Sequence, residues 1–89
     1  MSTDEHRRRP VFSKTAQKGI ADLPEHIRKA CGAIIRELAT GTVRGKPLKG
    51  DLSDLRSVRL GRTHRLLYRE TEQEILVVDV GPRGYIYKR

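Results

Sequence analysis

The stretch LRSVRLGRTHRLLYR, residues 55–69, sets five arginines in fifteen positions among apolar, β-favouring residues. Two strand-like runs, about 55–60 and 64–70, flank Gly61-Arg62-Thr63, and together they read as a hairpin. A two-residue turn at Gly61-Arg62 would place Val58 opposite Arg65 and mix apolar and charged side chains on both faces. A three-residue loop, Gly61-Arg62-Thr63, pairs Leu60 with His64, Arg59 with Arg65 and Val58 with Leu66. That register gathers Val58, Leu60, Leu66 and Tyr68 on one face and Ser57, Arg59, Arg65, Leu67 and Arg69 on the other. Sorting of apolar from polar favours it, because a one-residue slip exchanges the faces. A loop of this length usually wants its glycine in the left-handed position, so the turn type stays open. Arg56 falls on the apolar face, expected at its rim with its head in water.

The register has a consequence. Arg59 and Arg65 oppose each other, with Arg69 further along the same face, and directly opposed like charges are destabilising. Either the long side chains splay apart in solvent, or a ligand supplies the missing counter-charge. A phosphate suits the second reading, since a guanidinium fork grips two oxygens at once.

Working outward, Val11 and Phe12 suggest a short first strand, with Pro10 consistent with an edge or strand start. Ser13 is a candidate N-cap for a helix over about 14–22. Pro24 and Glu25 suit the first turn of a second helix, whose apolar positions Ile27, Cys31, Ile34, Ile35 and Leu38 fall on one face. Gly41 is a candidate C-cap, and residues 40–52 read as an irregular connection punctuated by Gly and Pro. After the hairpin come a strand over about 75–80 and a last short one over about 84–88. Strict alternation assigns Leu76, Val78 and Val80 to one face of the first of these, and Ile75, Val77 and Asp79 to the other. The predicted fold class is α+β: an N-terminal strand and two-helix hairpin packed on one face of a small, mainly antiparallel curved sheet. The other face is left to meet solvent or a partner. Residues 1–8 read as a flexible tail and 9–89 as a single domain.

Composition narrows the partners. Nineteen Lys and Arg against eleven Asp and Glu give a net charge of +8, a field attractive to polyanions. The most apolar stretch, Ile75–Val80, is far too short to span a membrane, and no basic amphipathic segment reads as a membrane-surface helix. Nucleic acid and acidic proteins are therefore the favoured partner classes. The charged N-terminus has no apolar h-region, so no secretory signal is expected. The single cysteine, Cys31, cannot form an internal disulfide. No Cys/His spacing signals a metal, and no cofactor is indicated. These features predict a cytoplasmic protein without membrane association. The run HRRR at 6–9 reads as a solvated tail adding at most nonspecific, salt-sensitive RNA affinity.

In the C-terminal stretch DVGPRGYIYKR, Gly81-Pro82 redirects the chain, and Arg83, Tyr85 and Tyr87 follow at alternate positions. Tyrosine beside arginine offers a stacking ring and a backbone clamp for single-stranded RNA. For Tyr85 the favoured reading is an ordinary one, packed on the sheet edge or exposed.

The segments PLKG at 47–50, RLGRTHRLLY at 59–68, ILVVDVG at 75–81 and GPRGYIY at 81–87 together resemble the RelE/ParE superfamily of bacterial toxins, especially its RelE branch. VFSKTAQKGIADLPEHIRKA is similar to that family's first strand and helical hairpin, so the resemblance covers about residues 10–88. It implies a toxin of a type II toxin–antitoxin system that enters the ribosomal A site and cleaves mRNA there as a metal-independent endoribonuclease. It also implies a small, partly acidic cognate antitoxin, and allows for a toxin–antitoxin hetero-oligomer. Carried over by position, Arg65, Arg83 and Tyr87 match family site residues, and Arg59 matches a basic position of the preceding strand. Lys46, Lys49, Arg62, Arg69 and Tyr85 are candidates for contact with RNA or ribosome.

Cleavage by a 2′-OH requires that oxygen deprotonated, the phosphorane charge stabilised and the 5′-oxygen protonated. Fixed cations meet the second need, usually the largest electrostatic contribution. Arg65 and Arg83 are assigned to it, with Arg59 assisting; an arginine is a poor general base. Tyr87 is left to relay a proton or to stack on a base. Two positions depart from the family pattern. Ser57 stands where some relatives carry lysine, and Pro82 where a histidine is common, which removes an acid–base group. His64, the nearest histidine in sequence, is the remaining acid–base candidate, but its parity points it to the helix-side face or the turn. Alternatives from other classes are a ParE-like gyrase inhibitor acting by binding, and an inert RNA-binding relative.

Overall fold

The structure, a computed structural model, describes residues 7–86. The chain runs β1 (Arg9–Phe12), α1 (Lys14–Ala21), α2 (Glu25–Thr40), β2 (Lys46–Pro47), a 3-10 turn (Gly50–Leu52), β3 (Arg56–Leu60), β4 (His64–Glu70), β5 (Glu74–Pro82) and a short α3 (Arg83–Ile86). The five strands form one sheet in the order β1-β5-β4-β3-β2. Only the β1–β5 pair is parallel. Both edge strands carry a proline, Pro10 and Pro47, which withholds a ladder donor where another chain would otherwise pair.

Ser13 ends β1 and starts α1. Its Oγ accepts from the Ala16 N–H at 3.0 Å as an N-cap. The second helix begins one residue later than expected. Pro24 is its N-cap in extended backbone rather than a first-turn residue, which leaves the first helical N–H to Glu25. Gly41 closes the helix at φ 83°, a left-handed conformation that glycine adopts without a Cβ penalty. Ile27, Cys31, Ile35 and Leu38 are buried against Leu60, Leu66 and Tyr68 of the hairpin and Ile75, Val77 and Val80 of β5. The helices thus cover one sheet face, as the apolar spacing predicted.

The hairpin adopts the three-residue loop, with Leu60 opposite His64, Arg59 opposite Arg65 and Val58 opposite Leu66. Gly61 takes the left-handed position at φ 67°. Alternation fails once, in β5. Leu67 pairs with Asp79 but Tyr68 pairs with Val77, so Val78 is an extra residue in a β-bulge. The bulge brings Val80 onto the core face with Ile75 and Val77, and moves Asp79 to the arginine side beside Leu67. The Val78 carbonyl accepts from Ser13 Oγ at 2.7 Å. The N-cap of α1 therefore also satisfies the backbone group at the irregularity.

Three further expectations are corrected. The last strand is instead α3: Pro82 cannot donate to the ladder, and the Arg83 N–H donates to the Thr63 carbonyl at 2.8 Å, which turns the chain. Residues 46–47 pair with β3 instead of forming only loop. Arg8 is not a frayed tail residue. Its N–H donates to the Ala39 carbonyl, its Nε to the Thr71 carbonyl at 2.6 Å, and its Nη2 lies 3.3 Å from the Glu70 carboxylate. The tail residues 1–6 lie outside the described residues.

Candidate nucleic-acid interface

The approach to β2 builds one wall of the site. Tyr68 is fully buried, yet its hydroxyl accepts the Gly45 N–H at 2.7 Å. Arg56 Nη1 donates to the Gly45 carbonyl at 2.6 Å, so its head is tied to backbone rather than reaching free water. A Cβ on Gly45 would lie 2.7 Å from the Ser57 carbonyl and 3.0 Å from the Tyr68 ring. Only glycine lets the chain come this close. The clamp fixes Arg44 and Lys46 on either side of it.

Between this wall and the hairpin lies an open groove of about 540 Å³, lined by Arg44, Lys46, Ser57, Arg59 and Arg65 with Val43, Gly45 and Val58. Four of these eight residues are cationic and none is acidic, so the groove lining carries net positive charge. Arg59 is exposed. Arg65 is half-buried, with its Nη1 donating to Ser57 Oγ at 2.9 Å. This hydrogen bond sets Ser57, at the position where some members of the resembled family carry lysine, against the guanidinium of Arg65. Among the described residues no carboxylate comes within ion-pair distance of Arg59 or Lys46. The sheet face itself is less open than expected, since Ser57, Leu67 and Asp79 are buried on it. Asp79 is the one residue of this face that strict alternation misplaced. Its visible signal was a lone acid in the run ILVVDV.

The other candidates disperse. Arg69 pairs with Asp54 at 3.0 Å and lines a separate groove with Arg8, Arg56, Glu70 and Glu72, where its charge is offset. His64 accepts or donates at 2.7 Å with Thr63 Oγ1 and lines a cleft with Lys18, Gly19 and Asp22 of the α1 region, on the helix side as its parity predicted. Arg62 is exposed in the hairpin loop and Lys49 is exposed before the 3-10 turn. Arg83 is exposed at the start of α3, two residues beyond Gly81, which is the cross-strand partner of Arg65. Tyr87 lies outside the described residues, and Tyr85 is placed only by its backbone in α3.

Comparison with known proteins agrees with this architecture. A family model for the YoeB-like toxin of bacterial type II toxin-antitoxin systems matches residues 11–82. The chain belongs to the YoeB-like toxin family. The match runs from the second half of β1 to the end of β5, and takes in both walls of the groove. Toxin YoeB of Streptomyces coelicolor is 37% identical over 55 residues, 62% of this chain and 66% of that protein, just under two thirds of its length. Among solved structures, a chain of the toxin–antitoxin complex RelBE2 from Mycobacterium tuberculosis superposes with a TM-score of 0.74 at 30% identity, covering 86% of this chain and 99% of that one. A chain of the RelB–RelE antitoxin–toxin complex from Methanococcus jannaschii does so at 0.71 and 26%, covering 88% and 95%. The RelE-like fold and the toxin class expected from the sequence are those of this YoeB-like chain.

Proposed function

We propose that this toxin is a ribosome-dependent endoribonuclease that cuts mRNA in the ribosomal A site through attack of a 2′-OH on the adjacent phosphodiester. The observation that carries the reading is the direct opposition of Arg59 and Arg65 in a groove shared with Lys46. A phosphodiester seated there meets two guanidinium forks and an ammonium, and the negative charge gained in the phosphorane strengthens each contact. Arg65, oriented by Ser57, is the fixed donor; Arg59, exposed, closes on the phosphate. Arg83, two residues beyond the cross-strand partner of Arg65, is assigned to the same phosphate. Proton transfer falls to groups brought by Tyr87 or by the ribosome, since His64 faces the cleft beside α1. The cognate partner is a small antitoxin protein with acidic character, in keeping with the toxin–antitoxin complexes formed by the structural relatives and with the net charge of +8.

The test is primer extension on an mRNA incubated with the purified toxin, with and without programmed ribosomes. Cuts within the A-site codon that require ribosomes are expected. An intact message together with gyrase-trapped DNA breaks would assign the chain to the gyrase-binding class instead.

A further inference from the structure

Arg44 and Glu70 stand just outside the roles assigned so far. Glu70 ends β4, and its side chain is only 18% exposed. Its Oε1 accepts from Arg44 Nε at 3.3 Å, and its Oε2 lies 3.3 Å from Arg8 Nη2. The two cations are held unequally. Arg8 keeps further bonds to the Thr71 and Ala39 carbonyls. Arg44 has a side chain 64% exposed, and among the described residues its charged partner is Glu70. Its backbone, by contrast, is pinned by the Gly45 clamp, so the guanidinium pivots from a fixed point. Arg44 lines the Lys46–Arg59–Arg65 groove and also the groove that contains Glu70.

From this geometry, and resting on the reading of the groove as an RNA site, we infer that Arg44 is a further phosphate-binding residue, parked on Glu70 until RNA enters. Glu70 is a positioning residue that sets how much of the Arg44 charge the groove can use. A long exposed cation sharing one carboxylate gains little from that pair. A phosphate flanked by Arg59, Arg65 and Lys46 offers a stronger, charge-assisted alternative. Arg8, tied by three bonds, stays behind and keeps Glu70 compensated when Arg44 leaves.

The experiment is a double-mutant cycle read by fluorescence anisotropy with a short fluorescein-labelled 2′-O-methyl RNA, which lacks the attacking hydroxyl. Arg44→Ala is expected to weaken binding about three- to tenfold and to lower the salt slope by about 0.7, the single-strand value for one phosphate contact. Glu70→Gln is expected to tighten binding about threefold, because Arg44 is released, and to have no effect in the Arg44→Ala background. Arg44→Ala alters an exposed side chain, so that arm reads out even if Glu70→Gln impairs folding. Unchanged affinity in Arg44→Ala, or an equal gain from Glu70→Gln with and without Arg44, overturns the inference while leaving the groove reading intact. Binding that is indifferent to Arg59→Ala and Arg65→Ala would instead remove the groove reading, and this inference with it.

Discussion

Arg59 and Arg65 are direct cross-strand partners on β3 and β4. Such a pair of like charges costs a few tenths to about 1 kcal/mol between strands. The structure separates the two heads by tying Arg65 to Ser57 Oγ at 2.9 Å and leaving Arg59 to solvent. The groove they share with Lys46 and Arg44 holds no acid. Buried Asp79 lies on the same face as Arg65, whereas Arg59 faces solvent. Under the proposed function, the anion that enters this groove is the phosphodiester of the RNA.

Gly19 of α1 lies against β5 so closely that a Cβ would stand 2.1 Å from the Val80 carbonyl oxygen. That atom is backbone and cannot swing aside. Gly19→Ala gains about 1 kcal/mol of helix propensity but forces α1 off the sheet at a larger cost. A net loss of about 2 kcal/mol is expected, seen as a fall in Tm of roughly 10 °C by thermal circular dichroism.

Tyr68→Phe keeps the buried ring and removes the acceptor of the Gly45 N–H. Leaving that buried donor unmet costs about 1–3 kcal/mol. Hydrogen exchange at the Gly45 amide should accelerate well beyond the global change, because the clamp opens locally. An unchanged exchange rate there would show that the hydroxyl does not hold the wall of the groove.

Cys31 is 1% exposed, and burial raises its thiol pKa. Above the ordinary thiol pKa, about 8.5, the unfolded chain loses this proton while the folded chain keeps it. The folded state then binds more protons, so stability falls as pH rises through that window and is complete below it. Cys31→Ala lacks this contribution. The Tm advantage of the unsubstituted protein over Cys31→Ala should therefore shrink from about pH 8 to pH 10. Alkylation of the native thiol should be slow until urea unfolds the chain.

Much of the fold was legible because burial sorts side chains. Leu60, Leu66 and Tyr68 are fully buried, and only the three-residue loop puts all three on one face, so hydrophobic sorting set the hairpin register and with it the Arg59–Arg65 pair. Strand β5 was harder. In ILVVDV either parity offers valines to the core, so composition does not reveal the bulge at Val78; the Ser13 hydroxyl that anchors it comes from 65 residues away in sequence. Arg8 was unreadable for the same reason, since its partners Ala39, Glu70 and Thr71 are distant in the chain. At the site, alternation placed Arg59 and Arg65 together but also enrolled Arg69, whose neutralisation by Asp54 depends on the fold of the loop before β3. Arg44 and Glu70 carried no periodic signal, because a loop residue and a strand end meet only in the folded protein.

The most direct measurement is the rate of mRNA cleavage on programmed ribosomes for three folded proteins: the unsubstituted toxin, Arg59→Ala/Arg65→Ala and Arg69→Ala. The groove account expects a loss of at least about 100-fold in the first variant, in the range for removing charge stabilisation of a transition state, and less than about threefold in Arg69→Ala. Equal losses in both variants, or cleavage that survives Arg59→Ala/Arg65→Ala, would contradict it.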